Sequence, residues 1–249
     1  MIFQVLFAAA ILSFLVQVVA VVTETIPVAL FDFTYAVMAL VAAYFIHVAM
    51  TREVPSKKNE LLLLSIGLIL WFFGELSWAV QEGLLGIEVP FPSVADAFWV
   101  AGFVPIVAAF HYHRSNLSVD NRVNLAGHVV SLGFLAWALW VIYLSAQSSS
   151  GVELFINLFY ILCSFYIVYE YAFVFSWSVL FGSGSPLRPW LVLALGFFGF
   201  GVYNIVFAQL TATGDYGLSQ PIDILYGLSY LAVVVAFYIK LTAPNANGN

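Results

Sequence analysis

The sequence predicts an all-α integral membrane protein of eight transmembrane helices, arranged as two parallel four-helix repeats with both termini cytoplasmic. Three observations carry this expectation. The 249 residues are 63% hydrophobic and only 8% charged, with a mean hydropathy of +1.03; a soluble domain usually carries about 25% charged residues. The seven Lys and Arg residues fall in every second connection between apolar stretches. The two halves of the chain also resemble each other, Tyr35 falling on Tyr160 and Tyr44 on Tyr169, with the offset changing by two residues past the outer loop.

A helix needs roughly 20 apolar residues to cross the hydrocarbon core. The first such stretch, about 3–22, has no basic residues ahead of it, so it reads as a retained helix rather than a cleaved signal peptide. The second, about 28–50, opens with Asp32. The third, about 61–83, holds Trp71, Glu75, Trp78 and Glu82. The fourth, about 95–113, follows Pro92 and opens with Asp96. The fifth and sixth, about 124–146 and 152–177, contain His128, Cys163 and Glu170. The seventh, about 190–211, carries no charged residue, and the eighth, about 222–241, opens with Asp223. The connections are too short for a soluble domain. The chain 1–249 is thus read as one membrane domain, with repeat one at 1–122 and repeat two at 123–249.

Charge orients the spans. Arg52, Lys57, Lys58, Arg114, Arg122, Arg188 and Lys240 occupy the connections 51–60, 114–123 and 183–189 and the tail. Positive charge is enriched in cytoplasmic loops, which puts these connections and both termini inside a cell membrane. The opposite connections carry Glu24, Glu88, Glu153 and Asp215 and no basic residue. Asn116-Leu117-Ser118 matches a glycosylation acceptor but lies on the inner side by this reading, so it is set aside. The net charge of −6 and a pI near 5.0 offer no basic patch for nucleic acid. Membrane lipid is the expected surrounding, with anionic-lipid contact a secondary role for the basic loops. The single Cys163 excludes an internal disulfide and reads as a small core residue.

This orientation gives the acidic residues a depth. Glu75 lies beyond the midplane towards the outside, and Glu82 lies two turns further out. Asp32, Asp96 and Asp223 stand at the outer edge. Trp71, Glu75, Trp78 and Glu82 are spaced 4, 3 and 4 apart, which places them on one helical face. An ionisable residue inside a span is costly and a functional candidate by default. No cation lies at the depth of Glu75, so its carboxyl is expected to be protonated, hydrogen-bonded to Trp or Tyr, or facing water or a cationic ligand. Two readings stay open: a cation, amine or proton site lined by aromatics, or interhelical glue with interfacial Trp anchors. Asp96 and Asp223 each sit in a first helical turn, where a carboxylate is stabilised by free N–H groups. For them the alternative is the rim of an outer pocket.

The duplication extends to polar and glycine positions. Leu70, Phe72, Phe73 and Gly74 fall on Leu195, Phe197, Phe198 and Gly199, and Trp78 on Tyr203. Past the outer loop Asp96 falls on Asp223, Trp99 on Tyr226 and Phe103 on Tyr230. Repeats of four spans share one orientation, so a pseudo-twofold axis along the membrane normal is expected, with a site near it. Glu75 and Glu82 fall on Phe200 and Phe207, and Asp32 on Asn157. That asymmetry favours a site built on the first repeat.

Other chemistries lack their residues. Retinal attachment needs a lysine inside a span, and none is available. His47, His111 and His113 near the inner ends suggest a zinc hydrolase of the ceramidase type, but His111 and His113 are two apart and do not share a face. No metal, cofactor or catalytic residue is expected. Gly214-Asp215 has the dipeptide of intramembrane aspartyl proteases, but in an outer loop without a partner Asp at matching depth.

The segment Pro90-Phe91-Pro92-Ser93-Val94-Ala95-Asp96-Ala97-Phe98-Trp99-Val100-Ala101-Gly102-Phe103, with Gly74-Glu75 and Trp78 upstream, resembles a motif of multi-span membrane modules. Those modules stand at the N-termini of prokaryotic cyclic-di-nucleotide signalling proteins and histidine kinases. The resemblance covers about residues 71–105. It implies a non-enzymatic sensory or ligand-binding module, with a cytoplasmic signalling protein as partner. The departure is that no output domain follows before Asn249. The expected outer pocket is lined by Glu75, Trp78, Glu82, Trp71, Asp32, Asp96 and Asp223 and takes a small cationic or polar ligand. A small cation- or proton-coupled transporter with Glu75 as coupling carboxylate is the second expectation.

Overall fold

The computed structural model describes residues 1–87, 89–115, 121–181, 188–216 and 220–242. The acceptor motif at Asn116 and the residue Glu88 therefore lie outside the described residues. The chain runs through α1 (Ile2–Thr23), α2 (Val28–Thr51), α3 (Pro55–Trp78), α4 (Val94–Ser115), α5 (Asn121–Ser148), α6 (Gly151–Phe181), α7 (Arg188–Thr213) and α8 (Pro221–Thr242). A six-residue π-helical stretch, Ala79–Leu84, continues α3. No strand occurs among the described residues. All eight helices are long and apolar enough to cross a membrane. A backbone that keeps its hydrogen bonds inside one helix is the solution open to a chain in hydrocarbon.

The spans begin and end close to where hydropathy puts them. The exception is the third: it starts at Pro55, six residues before the apolar run, and ends in the π-helix rather than an α-helical turn. Proline at the first helical position costs no hydrogen bond, because that N–H has no intrahelical partner. The polar Lys57 and Lys58 are thereby carried on a helical turn and stay exposed.

Helices α2, α3, α4, α7 and α8 supply most of the buried core, including Phe45, Leu64, Trp71, Phe103, Phe197, Phe200 and Tyr230. The most extensive packing is between neighbours in sequence, α3 on α4, α2 on α3 and α7 on α8. The two halves meet through α2 against α8 and α4 against α6. Helix α1 docks on α2 and α8, where its buried Gln17 donates to Thr34 Oγ1 at 2.8 Å. Helix α5 docks on α6 and α7 instead, with Trp137 Nε1 donating to Gln209 Oε1 at 2.8 Å. α3 and α4 approach closely because small residues face each other. A Cβ on Gly102 would stand 2.4 Å from Trp71 Cδ1 and 2.8 Å from the Gly67 carbonyl oxygen.

One end of the bundle is stitched by its basic residues. Arg52 Nη1 donates to the last-turn carbonyl of Leu241 at 3.2 Å and stands over the Phe3 ring. Lys240 pairs with Glu53 and lies over Trp190. His113 Nδ1 meets Glu60 Oε1 at 2.8 Å and stacks on Trp190. The α2–α3 turn is thus bound to the end of α8, and the start of α3 to the end of α4.

Candidate functional site: an acidic, aromatic-walled cavity

At the opposite end of the bundle lies a cavity of about 400 Å³. Small-molecule sites span about 300–1,000 Å³. Helices α2, α3, α4, α6, α7 and α8 all contribute to its wall, as do Val89, Phe91 and Tyr216 from the connections. All seven candidate residues, Asp32, Trp71, Glu75, Trp78, Glu82, Asp96 and Asp223, line it. So do Trp99, Tyr160, Tyr203 and Tyr226, and no Lys, Arg or His is among its described lining residues.

Glu75 is the hub. It is buried, and its Oε1 accepts from Trp99 Nε1 at 3.2 Å, from Tyr230 OH at 2.9 Å and from Tyr226 OH. The donors come from α4 and α8, so one carboxyl oxygen of α3 ties three helices together. Of the states expected for an uncompensated carboxyl, hydrogen bonding to Trp and Tyr is the one observed. Trp71, one turn away, is buried and donates to the Trp99 carbonyl at 3.2 Å, which sets the α4 backbone beneath the hub.

Beyond Trp78 the helix widens. In the π-helical stretch Glu82 turns back to accept from Trp78 Nε1. A Cβ on Gly83 would stand 2.5 Å from Ala29 Cα, so this turn lies hard against the start of α2. That approach brings Glu82 within electrostatic range of Asp32, together with Glu75 and Asp223. π-Helical insertions interrupt the regular register of an α-helix and recur at functional sites.

Asp96 and Asp223 are helix caps as well as lining residues. Asp96 Oδ2 accepts from the Ser93 N–H at 2.7 Å and Oγ at 2.9 Å, a reciprocal capping box at the start of α4. Asp223 Oδ2 accepts from the Gln220 N–H at 2.8 Å at the start of α8. Their second oxygens face tyrosines: Asp96 Oδ1 accepts from Tyr160 OH at 2.9 Å, and Asp223 Oδ1 from Tyr203 at 3.3 Å and Tyr216 at 3.4 Å. Burial, reinforced by the Asp223 carboxylate, pushes the Tyr216 hydroxyl above the ordinary phenol range, so it stays a donor. Tyr35 OH reaches the Asp223 carbonyl at 3.2 Å.

Asp32 differs from the other carboxylates. It is only 5% exposed, yet its Oδ2 has no hydrogen-bond partner among the described residues.

The sequence reading named Tyr35, Tyr160, Tyr203, Tyr226 and Trp99 only as positions of the expected duplication, not as site residues, and all five face the cavity. The histidines do not converge. His47 is exposed, His111 Nδ1 lies 2.8 Å from Tyr166 OH, and His113 is held by Glu60. No group of three His, Cys, Asp or Glu among the described residues is placed to hold a metal ion. His128 lies edge-on against Phe173. In comparisons with known proteins, no family model, no curated protein and no solved structure matches this chain.

Proposed function

We propose that the chain is a non-enzymatic ligand-binding module of the cell membrane, sensory in role, whose outward-facing cavity takes a small cationic or polar molecule. The observation that carries this reading is the cavity: five carboxyl-bearing residues line it together with a wall of aromatic rings, and nothing basic among the described lining neutralises them. The orientation follows from the positive-inside rule. It puts the cavity mouth outside and the Arg52–Lys240 end in the cytoplasm.

Two four-helix repeats account for the site's symmetry. Tyr35 of α2 reaches Asp223 of α8, and Tyr160 of α6 reaches Asp96 of α4. Trp99 and Tyr226, equivalent under the duplication, both donate to Glu75. Glu75 therefore sits close to a pseudo-twofold axis, and only the first repeat supplies it. A ligand that shifts α4 or α8 against α3 disturbs this hub. The same two helices end against the start of α3 and the α2–α3 turn on the other side, through His113–Glu60 and Lys240–Glu53. Movement at the hub is thus carried to the face where a cytoplasmic signalling protein would read it. The segment Pro90–Phe103, which resembles a motif of prokaryotic sensory modules, favours the same role.

A cation- or proton-coupled transporter is the second reading, favoured by the repeats. Transporters commonly break helices at matching positions in both repeats. Here the π-helical stretch Ala79–Leu84 has no counterpart, since α7 continues as α-helix to Thr213. The test is thermal unfolding and tryptophan fluorescence of the full chain in lipid nanodiscs across a panel of small cationic, neutral and anionic solutes, followed by flux in liposomes. A solute that stabilises the protein and changes the indole emission without flux supports the sensory module. Coupled flux supports the transporter, and a protein that responds to no solute rejects the ligand-binding reading.

A further inference from the structure

We infer that the cavity's ligand is a protonated primary or secondary amine on an apolar or aromatic body, and that Asp32, not Glu75, is its anchor. This rests on the ligand-binding reading above and goes further by naming the chemistry and the contact.

The other carboxylates are already engaged. Glu75 accepts three donors, Glu82 accepts Trp78, and Asp96 and Asp223 each close a helix cap and receive tyrosine hydroxyls. Asp32 lines the cavity, and its buried Oδ2 has no partner among the described residues. A buried polar atom without a partner costs the free energy of its lost hydration, and here the carboxyl groups of Glu82, Glu75 and Asp223 crowd around it. An N–H donor carrying positive charge relieves both penalties at once. Water or a neutral hydroxyl relieves only the first. A quaternary ammonium has no N–H to give and relieves only the second.

The walls argue for an organic cation over an inorganic one. The cavity is far larger than a desolvated metal ion needs, at about 400 Å³. No three acidic, His or Cys side chains among the described residues are grouped to coordinate a metal. The indoles of Trp78 and Trp99 lie 5.8 Å apart, centroid to centroid. The phenol rings of Tyr203 and Tyr226 are stacked at 4.3 Å. Such faces attract an ammonium through the ring quadrupole and bury the body attached to it.

The test is a binding titration, read by tryptophan fluorescence and calorimetry, on the full chain in nanodiscs at constant pH and ionic strength. The probes are a panel of alkyl and aryl primary amines that includes phenethylamine, with 2-phenylethanol as its neutral match and phenethyltrimethylammonium as its quaternary match. The expected result is saturable amine binding, at least tenfold tighter than either match, and weakened at least tenfold by Asp32→Asn. Asparagine already stands at the equivalent position, Asn157, so the substitution suits the fold. Glu24→Gln, at an exposed carboxylate outside the cavity, is expected to leave amine binding unchanged. Equal binding of amine and alcohol overturns the inference, as does amine binding that ignores Asp32→Asn. If neutral or anionic solutes bind and no amine does, the inference fails while the ligand-binding reading stands. If no solute binds, both fail.

Discussion

A single carboxyl oxygen, Glu75 Oε1, collects Trp99, Tyr226 and Tyr230 from two other helices. Replacing it by an apolar residue leaves these donors without their acceptor. A buried donor without an acceptor costs about 1–3 kcal/mol. Glu75→Leu should therefore destabilise by several kcal/mol, while Tyr230→Phe, which removes one donor and leaves the hub, should cost about 1 kcal/mol. Thermal unfolding in detergent checks the order, and a Glu75→Leu protein as stable as the parent would sink the hub. The hub was partly legible in the sequence: a carboxylate inside a span with no cation at its depth must find hydrogen-bond donors. Which donors it finds was not legible, because Tyr226 and Tyr230 come from α8, more than a hundred and fifty residues away. The same distance hid the contrast between Glu75 and Asp32. Hydropathy marks both as costly, and only the packed site shows which of them is left without a donor.

At the scale of the helix, close packing is set by small residues where water is absent and no hydrophobic force draws helices together. The α3–α4 pair rests on Gly67 and Gly102, with Trp71 laid over the latter. Overfilling a packed core typically costs about 1–3 kcal/mol, so Gly102→Ala should lower the unfolding temperature and shift the emission of Trp71. Gly133 of α5 has open space around its Cα. Gly133→Ala should be neutral or stabilising, by up to about 1 kcal/mol. Equal losses at both positions would show that the α3–α4 contact does not govern the effect. Span positions were readable from hydropathy and proline placement to within a few residues. The end of the third span was not. A regular 3.6-residue repeat was expected through Glu82, and the chain instead adopts a π-helix from Ala79. The change of register places Gly83 against Ala29, a tertiary contact that no local pattern announces.

For the whole molecule, the distribution of seven basic residues makes a prediction about sidedness. With Cys163→Ala as background, Lys58→Cys should react with an impermeant thiol reagent only after the cells are opened, and Asp215→Cys should react in intact cells. Both parent side chains are exposed. The reverse pattern would invert the molecule and point the cavity inward. The eight-span all-helical class was determined by the sequence alone, because the free energy of burying apolar residues in lipid is local and additive along the chain. The carboxylates' clustering at one end also followed from span boundaries and loop charge. What only the tertiary structure decided is how those residues are used. Asp96 and Asp223 close helix caps, Glu75 binds three helices, and Asp32 lines the cavity while its buried Oδ2 stays unpaired among the described residues. Hydropathy measures each residue against lipid or water, whereas a hydrogen bond depends on where a distant helix places its donor, and that is settled only when the bundle packs.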